Sequence, residues 1–316
     1  MSRIDLLAVA KPSPMLAPQL EAAFNVHDRL HETDPAAFAQ VAPSIRAITC
    51  GGDSRVSAEL IAQLPALEII AVVGVGYDGI DLAAAKERGI AVTNTPDVLN
   101  DDVADLAIAL MLAWARQIVQ ADAFVRSGEW ERSAPTLGRK VSGARLGIVG
   151  IGRIGQGIAR RAAAFGMQVA YTARNRRAEL PYAYFPSAES LAEASDYLIV
   201  ITPGGEATRG LINAQVLRAL GKKGVLVNVA RGSVVDEPAL IASLEQGEIA
   251  GAALDVFYDE PKVSARLRRL PNVLLTPHVG SATTSTRQAM ADLAVANLSA
   301  HFGGKPLPTL VPECRS

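Results

Sequence analysis

Three residues with the side chains for acid–base and anion chemistry fall just past the ends of apolar runs. They are Arg231 in Asn228-Val229-Ala230-Arg231-Gly232, Glu260 in Asp255-Val256-Phe257-Tyr258-Asp259-Glu260-Pro261, and His278 in Thr276-Pro277-His278. A guanidinium holds a carboxylate or a carbonyl by paired hydrogen bonds. Histidine titrates near neutrality and can act as a general acid. A carboxylate beside it raises its pKa and fixes the ring. Such a set suits the reduction of a 2-oxo acid, in which the carbonyl carbon takes a hydride and the carbonyl oxygen takes a proton. Singly, each residue reads as a surface arginine, a solvated loop charge or a satisfied strand-end histidine. Their joint placement at successive strand ends makes them a candidate site. His27, His31 and His301 have no such company along the chain and read as surface or structural.

A source for the hydride is written in residues 146–155. The apolar run Leu146–Val149 reads as a buried strand, and an apolar-periodic segment through Ile158, Ala159, Ala162 and Ala163 reads as a helix. Between them Gly150, Gly152 and Gly155 fit G-x-G-x-x-G: one glycine for the turn, one for close approach of backbone to a pyrophosphate, one for helix–strand packing. The phosphates then sit on the positive end of the helix. An NAD site usually adds an acidic residue about 20 residues further on, for the ribose 2′-hydroxyl. Here that point falls near Thr172, followed by Ala173-Arg174-Asn175-Arg176-Arg177, with no acid before Glu179. Thr172, Arg174, Asn175 and Arg176 are therefore expected around a 2′-phosphate, and NADPH is expected in preference to NADH.

The elements that must position these residues alternate between strand and helix. Strand-like runs recur at Ile4–Val9, Phe24–His27, Ile45–Thr49, Leu67–Val73 and Ile90–Thr93, with helical patterns at Ser57–Leu64 and Asp81–Lys86. Such alternation predicts a mostly parallel sheet covered on both faces. A long helix is expected from about Asp101 to Phe124, capped by Asp101 or Asp102. Val103, Leu106, Ile108, Leu110, Met111, Leu112 and Trp114 surround it with apolar side chains, so it should be buried, in part against a second copy of the chain. The second unit's candidate strands are Leu146–Val149, Gln168–Thr172, Tyr197–Ile201, Val225–Val229, Ile249–Leu254 and Val273–Thr276, the six of a dinucleotide-binding sheet. A last helix, about Ser285 to Phe302, is placed back on the first domain. The expected division is 1–98 with 286–316 as substrate-binding domain and 99–285 as dinucleotide-binding domain.

Composition bounds the remaining possibilities. With 316 residues, about two domains are expected. Hydrophobic residues make up 49% and charged residues 20%, which suits a large core rather than disorder. A net charge of −1 gives no electrostatic case for nucleic acid or an acidic membrane surface. Cys50 and Cys314 offer neither metal-ligand spacing nor a disulfide framework and suit a reducing compartment. The N-terminal apolar run is too short for a signal peptide, and no run approaches the ~20 apolar residues of a membrane span. A cytoplasmic protein with no metal and no membrane partner is expected.

The ordered motifs Gly74-Val75-Gly76-Tyr77-Asp78, Asn94-Thr95-Pro96, Gly150–Gly155, Asn228–Gly232, Asp255–Pro261 and Thr276-Pro277-His278-Val279-Gly280 resemble those of the D-isomer-specific 2-hydroxyacid dehydrogenases. They span about residues 45 to 305. Within that family the chain is most similar to the glyoxylate/hydroxypyruvate reductases and the related hydroxyphenylpyruvate reductases. The resemblance implies an α/β fold of two doubly wound parallel-sheet domains, a Rossmann-type cofactor domain and a flavodoxin-like substrate domain, with the active site in the cleft between them. It implies a catalytic triad of Arg231, Glu260 and His278, and a substrate carboxylate on the N–H groups of Val75 and Gly76. It further implies cofactor contacts at Arg153, Ile154, Thr202, Pro203, Thr208, Val229, Ala230, Asp255 and Gly280, and a homodimer. The substrate pocket is expected to be lined by Cys50, Gly51, Gly52 and Asp53, by Val75, Gly76 and Tyr77, by Leu99, and by Arg231 and His278. Two glycines at 51–52 leave it roomy, so a broad reductase of small 2-oxo acids, glyoxylate and hydroxypyruvate, is expected. Two alternatives are an enzyme for hydroxyphenylpyruvate or phenylpyruvate and a dinucleotide-sensing corepressor-like protein, since corepressors of this superfamily share the fold. The sequence ends soon after the last helix without a long polar tail for partner docking, which favours the enzyme. Residues 131–137 lack the second tryptophan that some relatives carry after the counterpart of Trp130.

Overall fold

The computed structural model describes residues 3–314. The chain forms two compact units, Met1–Leu99 with Ser281–Ser316, and Asn100–Gly280. Among the described residues no helix is long and apolar enough to cross a membrane.

The first unit is built on five parallel strands: β1 (Ile4–Ala8), β2 (Phe24–Asp28), β3 (Ile45–Gly51), β4 (Ile69–Val73) and β5 (Ala91–Thr93). Their order is β2-β1-β3-β4-β5, the flavodoxin-like arrangement. Neighbouring residues on a strand point to opposite faces, and here both faces are apolar. Leu7, Ile48, Ile70 and Val92 enter one core, while Leu6, Ala47, Ile69 and Ala71 enter the other. That is why these strands read as continuous apolar runs rather than alternating ones. The helix Thr284–Phe302 covers the second face with Ala291 and Leu298. The chain then returns to the sheet edge, where Leu310 bridges antiparallel to Thr93 and the Val311 N–H donates to the Val92 carbonyl at 2.9 Å.

The second unit carries seven parallel strands rather than the six expected. They are β6 (Arg145–Val149), β7 (Gln168–Thr172), β8 (Ala183–Tyr184), β9 (Tyr197–Val200), β10 (Val225–Asn228), β11 (Gly251–Leu254) and β12 (Val273–Leu275). Their order is β12-β11-β10-β9-β6-β7-β8. The added β8 is two residues long, too short to carry a periodicity, and its Tyr184 ring packs on Tyr171 at 5.5 Å. Strand order reverses between β6 and β9. Ligands of such sheets bind beyond the carboxyl ends of the strands at this switch point.

The single long helix expected at 101–124 is two helices, Asn100–Ala115 and Ile118–Arg126, separated by Gln117 at φ 51°. The cause lies downstream. The Arg139 N–H donates to the Ala115 carbonyl at 2.7 Å and so ends the first helix. Asp101 and Asp102 lie within its first turn rather than capping it, and Asp101 and Asp105 both bind Arg161. Val103, Ile108, Leu110 and Met111 are buried, and the Trp114 indole N–H donates to the Asn272 carbonyl at 2.8 Å. The apolar side chains left in solvent lie further on, at Ile118, Val119, Val125 and Trp130.

Candidate active site

The glycines of the 150–155 turn divide into those the fold demands and one it does not. Gly150 has φ +104°, and a Cβ there would lie 2.8 Å from the Ile201 carbonyl oxygen. A Cβ on Gly155 would come within 2.2 Å of the Gly150 carbonyl oxygen. Gly152 has φ −70° and ψ −164°, open to any residue, and no atom lies within 4 Å of where its Cβ would stand. Packing and backbone geometry leave room for a side chain at 152, which is what a backbone cleared for a pyrophosphate requires. Gly152 also precedes the helix Arg153–Ala164 without a side-chain cap, so the first-turn N–H groups face outward beside Arg153 and Ile154. These residues fit a dinucleotide.

At the end of β7, Thr172 is buried while Arg174, Asn175 and Arg176 are exposed. The loop is pinned from below: the Tyr171 hydroxyl accepts from the Arg177 N–H at 2.7 Å and donates to the Arg177 carbonyl at 3.1 Å. Glu179, the first acid, sits 3.7 Å from Arg177. Among the described residues neither Arg174 nor Arg176 has an ion-pair partner. Beyond β9, Thr202 and Pro203 lead to Thr208, whose hydroxyl donates to the Pro203 carbonyl at 2.7 Å.

The three chemical residues come together in this unit. Beyond β10, the buried Asn228 accepts from the Ala230 N–H at 3.1 Å and donates to the Arg231 carbonyl at 3.1 Å, which folds the Val229–Arg231 turn. Arg231 is half-buried and donates to the Ala230 carbonyl. A Cβ on Gly232 would lie 1.8 Å from the Phe257 carbonyl oxygen, so only glycine lets this turn press against the loop that carries Glu260. Glu260 accepts from the Phe257 N–H at 2.8 Å and holds His278 Nδ1 at 2.6 Å.

His278 itself stands at φ 51°, a backbone conformation uncommon outside glycine, though histidine adopts it more readily than most. Asp255 secures it. The His278 N–H donates to the Asp255 carbonyl at 2.8 Å. The Asp255 carboxylate accepts from the Thr276 hydroxyl at 2.6 Å and from the Val279 and Gly280 N–H groups at 2.9 Å each. Asp255 is 1% exposed, and burial pushes its carboxyl above the ordinary value against those hydrogen bonds. Expected as a cofactor contact, this carboxylate is committed to the turn that presents His278.

The hydrogen bond to Glu260 raises the His278 pKa above its ordinary value, while burial and the positive charge of Arg231 work the other way. Burial works to raise Glu260, yet the bonds from His278 and the Phe257 N–H bring it below the usual carboxylate range. Both directions favour the imidazolium–carboxylate form of the pair. With Nδ1 bound to Glu260, Nε2 is left for a reacting group.

In the first unit, Gly51 ends β3 and Gly52 follows it. Gly74 lies so close that its Cβ would stand 3.0 Å from the Gly52 Cα. Val75 and Gly76 are half-buried, and among the described residues neither N–H has a protein acceptor. Three further residues expected to line the pocket are placed as follows. Cys50 is 3% exposed in the core, its thiol pushed up to about 12 by burial and then by Asp53. Leu99 is 5% exposed, and the Tyr77 hydroxyl donates to Glu313 at 3.0 Å.

The remaining histidines are not as solitary as the sequence suggests. His27 Nε2 lies 2.8 Å from Asp5, and His301 Nε2 lies 3.0 Å from Glu68. Sequence reasoning also missed the structural use of Asn228 and Thr276. For Asn228 the signal was present: a short polar side chain at the last residue of a buried strand has no core to enter and turns back on its own loop. For Thr276 it was not, since its partner Asp255 lies 21 residues away.

Comparison with known proteins agrees with this geometry. A family model for the NAD-binding domain of D-isomer specific 2-hydroxyacid dehydrogenases matches residues 108–280. A glyoxylate/hydroxypyruvate reductase of Arabidopsis thaliana is 47% identical over 312 residues, covering 98% of this chain and 100% of that protein. A hydroxyphenylpyruvate reductase of Plectranthus scutellarioides is 46% identical over 314 residues, covering 98% of this chain and 100% of that protein. The crystal structure of an NADPH-dependent glyoxylate/hydroxypyruvate reductase from Sinorhizobium meliloti, in complex with NADP and malonate, matches with a TM-score of 0.94 at 45% identity. It covers 99% of this chain and 98% of that one. The two parallel sheets and the motifs at their strand ends thus have one common explanation: the chain belongs to the D-isomer-specific 2-hydroxyacid dehydrogenases, nicotinamide-dependent oxidoreductases acting on CH–OH donors.

Proposed function

We propose that this enzyme reduces small 2-oxo acids, glyoxylate and hydroxypyruvate, to D-2-hydroxy acids with NADPH. The observation that carries the chemistry is the His278–Glu260 pair at 2.6 Å on a turn beside Arg231. The bound nicotinamide supplies a hydride to the carbonyl carbon. Arg231 holds the carboxylate or carbonyl of the substrate through its guanidinium. His278, kept protonated by Glu260, delivers a proton from Nε2 to the carbonyl oxygen as negative charge develops there. The Val75 and Gly76 N–H groups, which have no protein acceptor among the described residues, are assigned to the substrate carboxylate. The substrates follow the named activities of the Arabidopsis and Sinorhizobium relatives. All the relatives compared above are reductases, which favours an enzyme over a dinucleotide sensor.

The NADPH preference rests on Arg174, Asn175 and Arg176, exposed at the end of β7 with no carboxylate facing them. A 2′-phosphate would be attracted there, and nothing selects the bare ribose hydroxyl. A cytoplasmic location fits the two free cysteines. A homodimer is supported by the apolar surface of Ile118, Val119 and Val125, each 55% exposed, with Trp130 beside them in sequence. A face of this kind is normally covered in a stable protein. Light scattering at micromolar concentration should then give about twice the 33.2 kDa of one chain, and a mass near 33.2 kDa would refute the dimer.

The decisive panel is kcat/KM for glyoxylate, hydroxypyruvate, pyruvate and phenylpyruvate with each nicotinamide. Side-chain discrimination by apolar contact is worth only about 1–3 kcal/mol per methylene. Turnover of glyoxylate and hydroxypyruvate with NADPH is expected, with measurable activity on the larger acids. No turnover of any 2-oxo acid would overturn the proposal. A preference for one acid above about 10⁴-fold would require a specific hydrogen-bonding side chain and would overturn the broad pocket.

A further inference from the structure

The Asn94-Thr95-Pro96 motif and the segment after the last helix take no part in the chemistry above, yet both converge on the loop Gly74–Tyr77. The Thr95 N–H donates to the Gly74 carbonyl at 2.8 Å, and the Asn94 side-chain amide donates to the Val75 carbonyl at 2.9 Å. In a planar trans peptide the C=O and the following N–H point in opposite directions. Anchoring the Gly74 and Val75 carbonyls on the Asn94-Thr95 side therefore aims the Val75 and Gly76 N–H groups away from it. Two successive N–H groups turned the same way form an anion-binding nest.

Asn94 is itself held by the C-terminal segment. The Thr309 hydroxyl donates to the Asn94 carbonyl at 2.6 Å, and the Asn94 N–H donates to the Thr309 carbonyl at 3.3 Å. Thr309 is fixed in turn by Asn297, 0% exposed on the last helix. The Asn297 side chain donates to the Thr309 hydroxyl at 2.7 Å and accepts from its N–H at 3.1 Å. A second contact reaches the loop's other end, where the Tyr77 hydroxyl donates to Glu313 at 3.0 Å. Between the two, Val311 is buried in the core of the sheet.

We propose that the segment Thr309–Glu313 is a strap that sets the Gly74–Tyr77 loop so that the Val75 and Gly76 amides receive a substrate carboxylate, with Thr309 and Glu313 as positioning residues. This rests on the reading that those amides bind the carboxylate. The strap touches neither substrate nor cofactor and acts only through the loop. Its loss therefore falls on the binding of acids and spares the binding of NADPH.

The test uses the full-length enzyme with NADPH, comparing glyoxylate with its neutral methyl ester. Wild type should show a KM for the ester at least tenfold above that for the acid. Thr309→Val should raise the KM for glyoxylate roughly tenfold, and Glu313→Ala about threefold, as expected for losing the two part-buried hydrogen bonds of the Thr309 hydroxyl and the one exposed bond of Glu313. The KM for the ester, the KM for NADPH and kcat should stay within about twofold. Thr309→Ser and Glu313→Gln keep the hydroxyl and an acceptor oxygen and should restore the acid KM. Equal KM values for acid and ester in wild type would overturn the carboxylate reading, and the strap with it. A clear acid preference in wild type that survives both variants would overturn the strap alone, as would a parallel rise in the KM for ester and acid. Should Thr309→Val fail to fold, the exposed Glu313→Ala and Glu313→Gln pair decides on the same readings.

Discussion

The pairs His278–Glu260 and His301–Glu68 are alike in residue type, and the difference between them separates a candidate proton donor from a latch. His278 binds Glu260 at 2.6 Å and His301 binds Glu68 at 3.0 Å. In the first unit Glu68 is claimed chiefly by Arg46, which holds its carboxyl below the usual range, with His301 as a lesser partner. Arg46 also stacks 5.0 Å over the Phe302 ring, and His301 packs edge-on against that ring. The group joins the end of the last helix to the start of β4. In the second unit the positive charge of Arg231 is the smallest of the causes acting on the glutamate. Glu260 is committed to His278 and to one backbone N–H, and the histidine stands beyond a strand end on a left-handed residue. Such conformations cost of order 1–3 kcal/mol and persist where surrounding structure imposes them. Here the Asp255 carboxylate, with three hydrogen bonds, imposes it. The lesson is that the residue pair is common and the mounting is not.

The comparison breaks most sharply at the histidines. His278→Ala is expected to lower kcat for hydroxypyruvate reduction by ~10²–10⁴, the usual contribution of a general acid. Its affinity for NADPH should be nearly unchanged. His301→Ala should leave kcat within about twofold, since it removes only a screened, partly exposed pair. If His278→Ala kept more than about a third of wild-type kcat with chemistry limiting, the assignment would fail.

A smaller effect is expected at the cofactor's other end. A charge-assisted hydrogen bond is worth ~1.5–3 kcal/mol. Arg174→Ala should therefore raise the KM for NADPH roughly 10–100-fold and scarcely change that for NADH, measured by initial rates at saturating glyoxylate. Equal wild-type efficiency with both nicotinamides would count against Arg174 as a phosphate ligand. Smallest of all, urea unfolding of His301→Ala should show a loss of no more than about 1 kcal/mol, because both partners of that pair are partly in solvent. A larger loss would mean that the latch carries more of the first unit's stability than its exposure allows.

Much of this was legible in the sequence for a physical reason. Strands buried on both faces are written as apolar runs, and chemistry at their ends is written as abrupt polar residues, as at Asn228–Arg231 and Thr276–His278. Gly150 and Gly155 could be assigned because their backbone and packing admit nothing else. What was not legible depended on partners distant in sequence. The break at Gln117 is caused by Arg139, and the mates of His27 and His301 lie 22 and 233 residues away. The two-residue β8 has no period to read.

The most direct test is the pH dependence of kcat in Glu260→Gln and Glu68→Gln beside wild type, all reducing hydroxypyruvate with NADPH. The proposed mechanism needs protonated His278, whose pKa the Glu260 hydrogen bond raises above the ordinary value. Activity should thus hold at low pH and fall as pH rises through that raised value, above the ordinary 6.5. Removing the Glu260 charge removes the main cause of the raise, so the basic limb should move to lower pH. Glu68→Gln should leave the limb where wild type has it. A limb unmoved in Glu260→Gln, or moved equally in both variants, would contradict His278 as the proton donor tuned by Glu260.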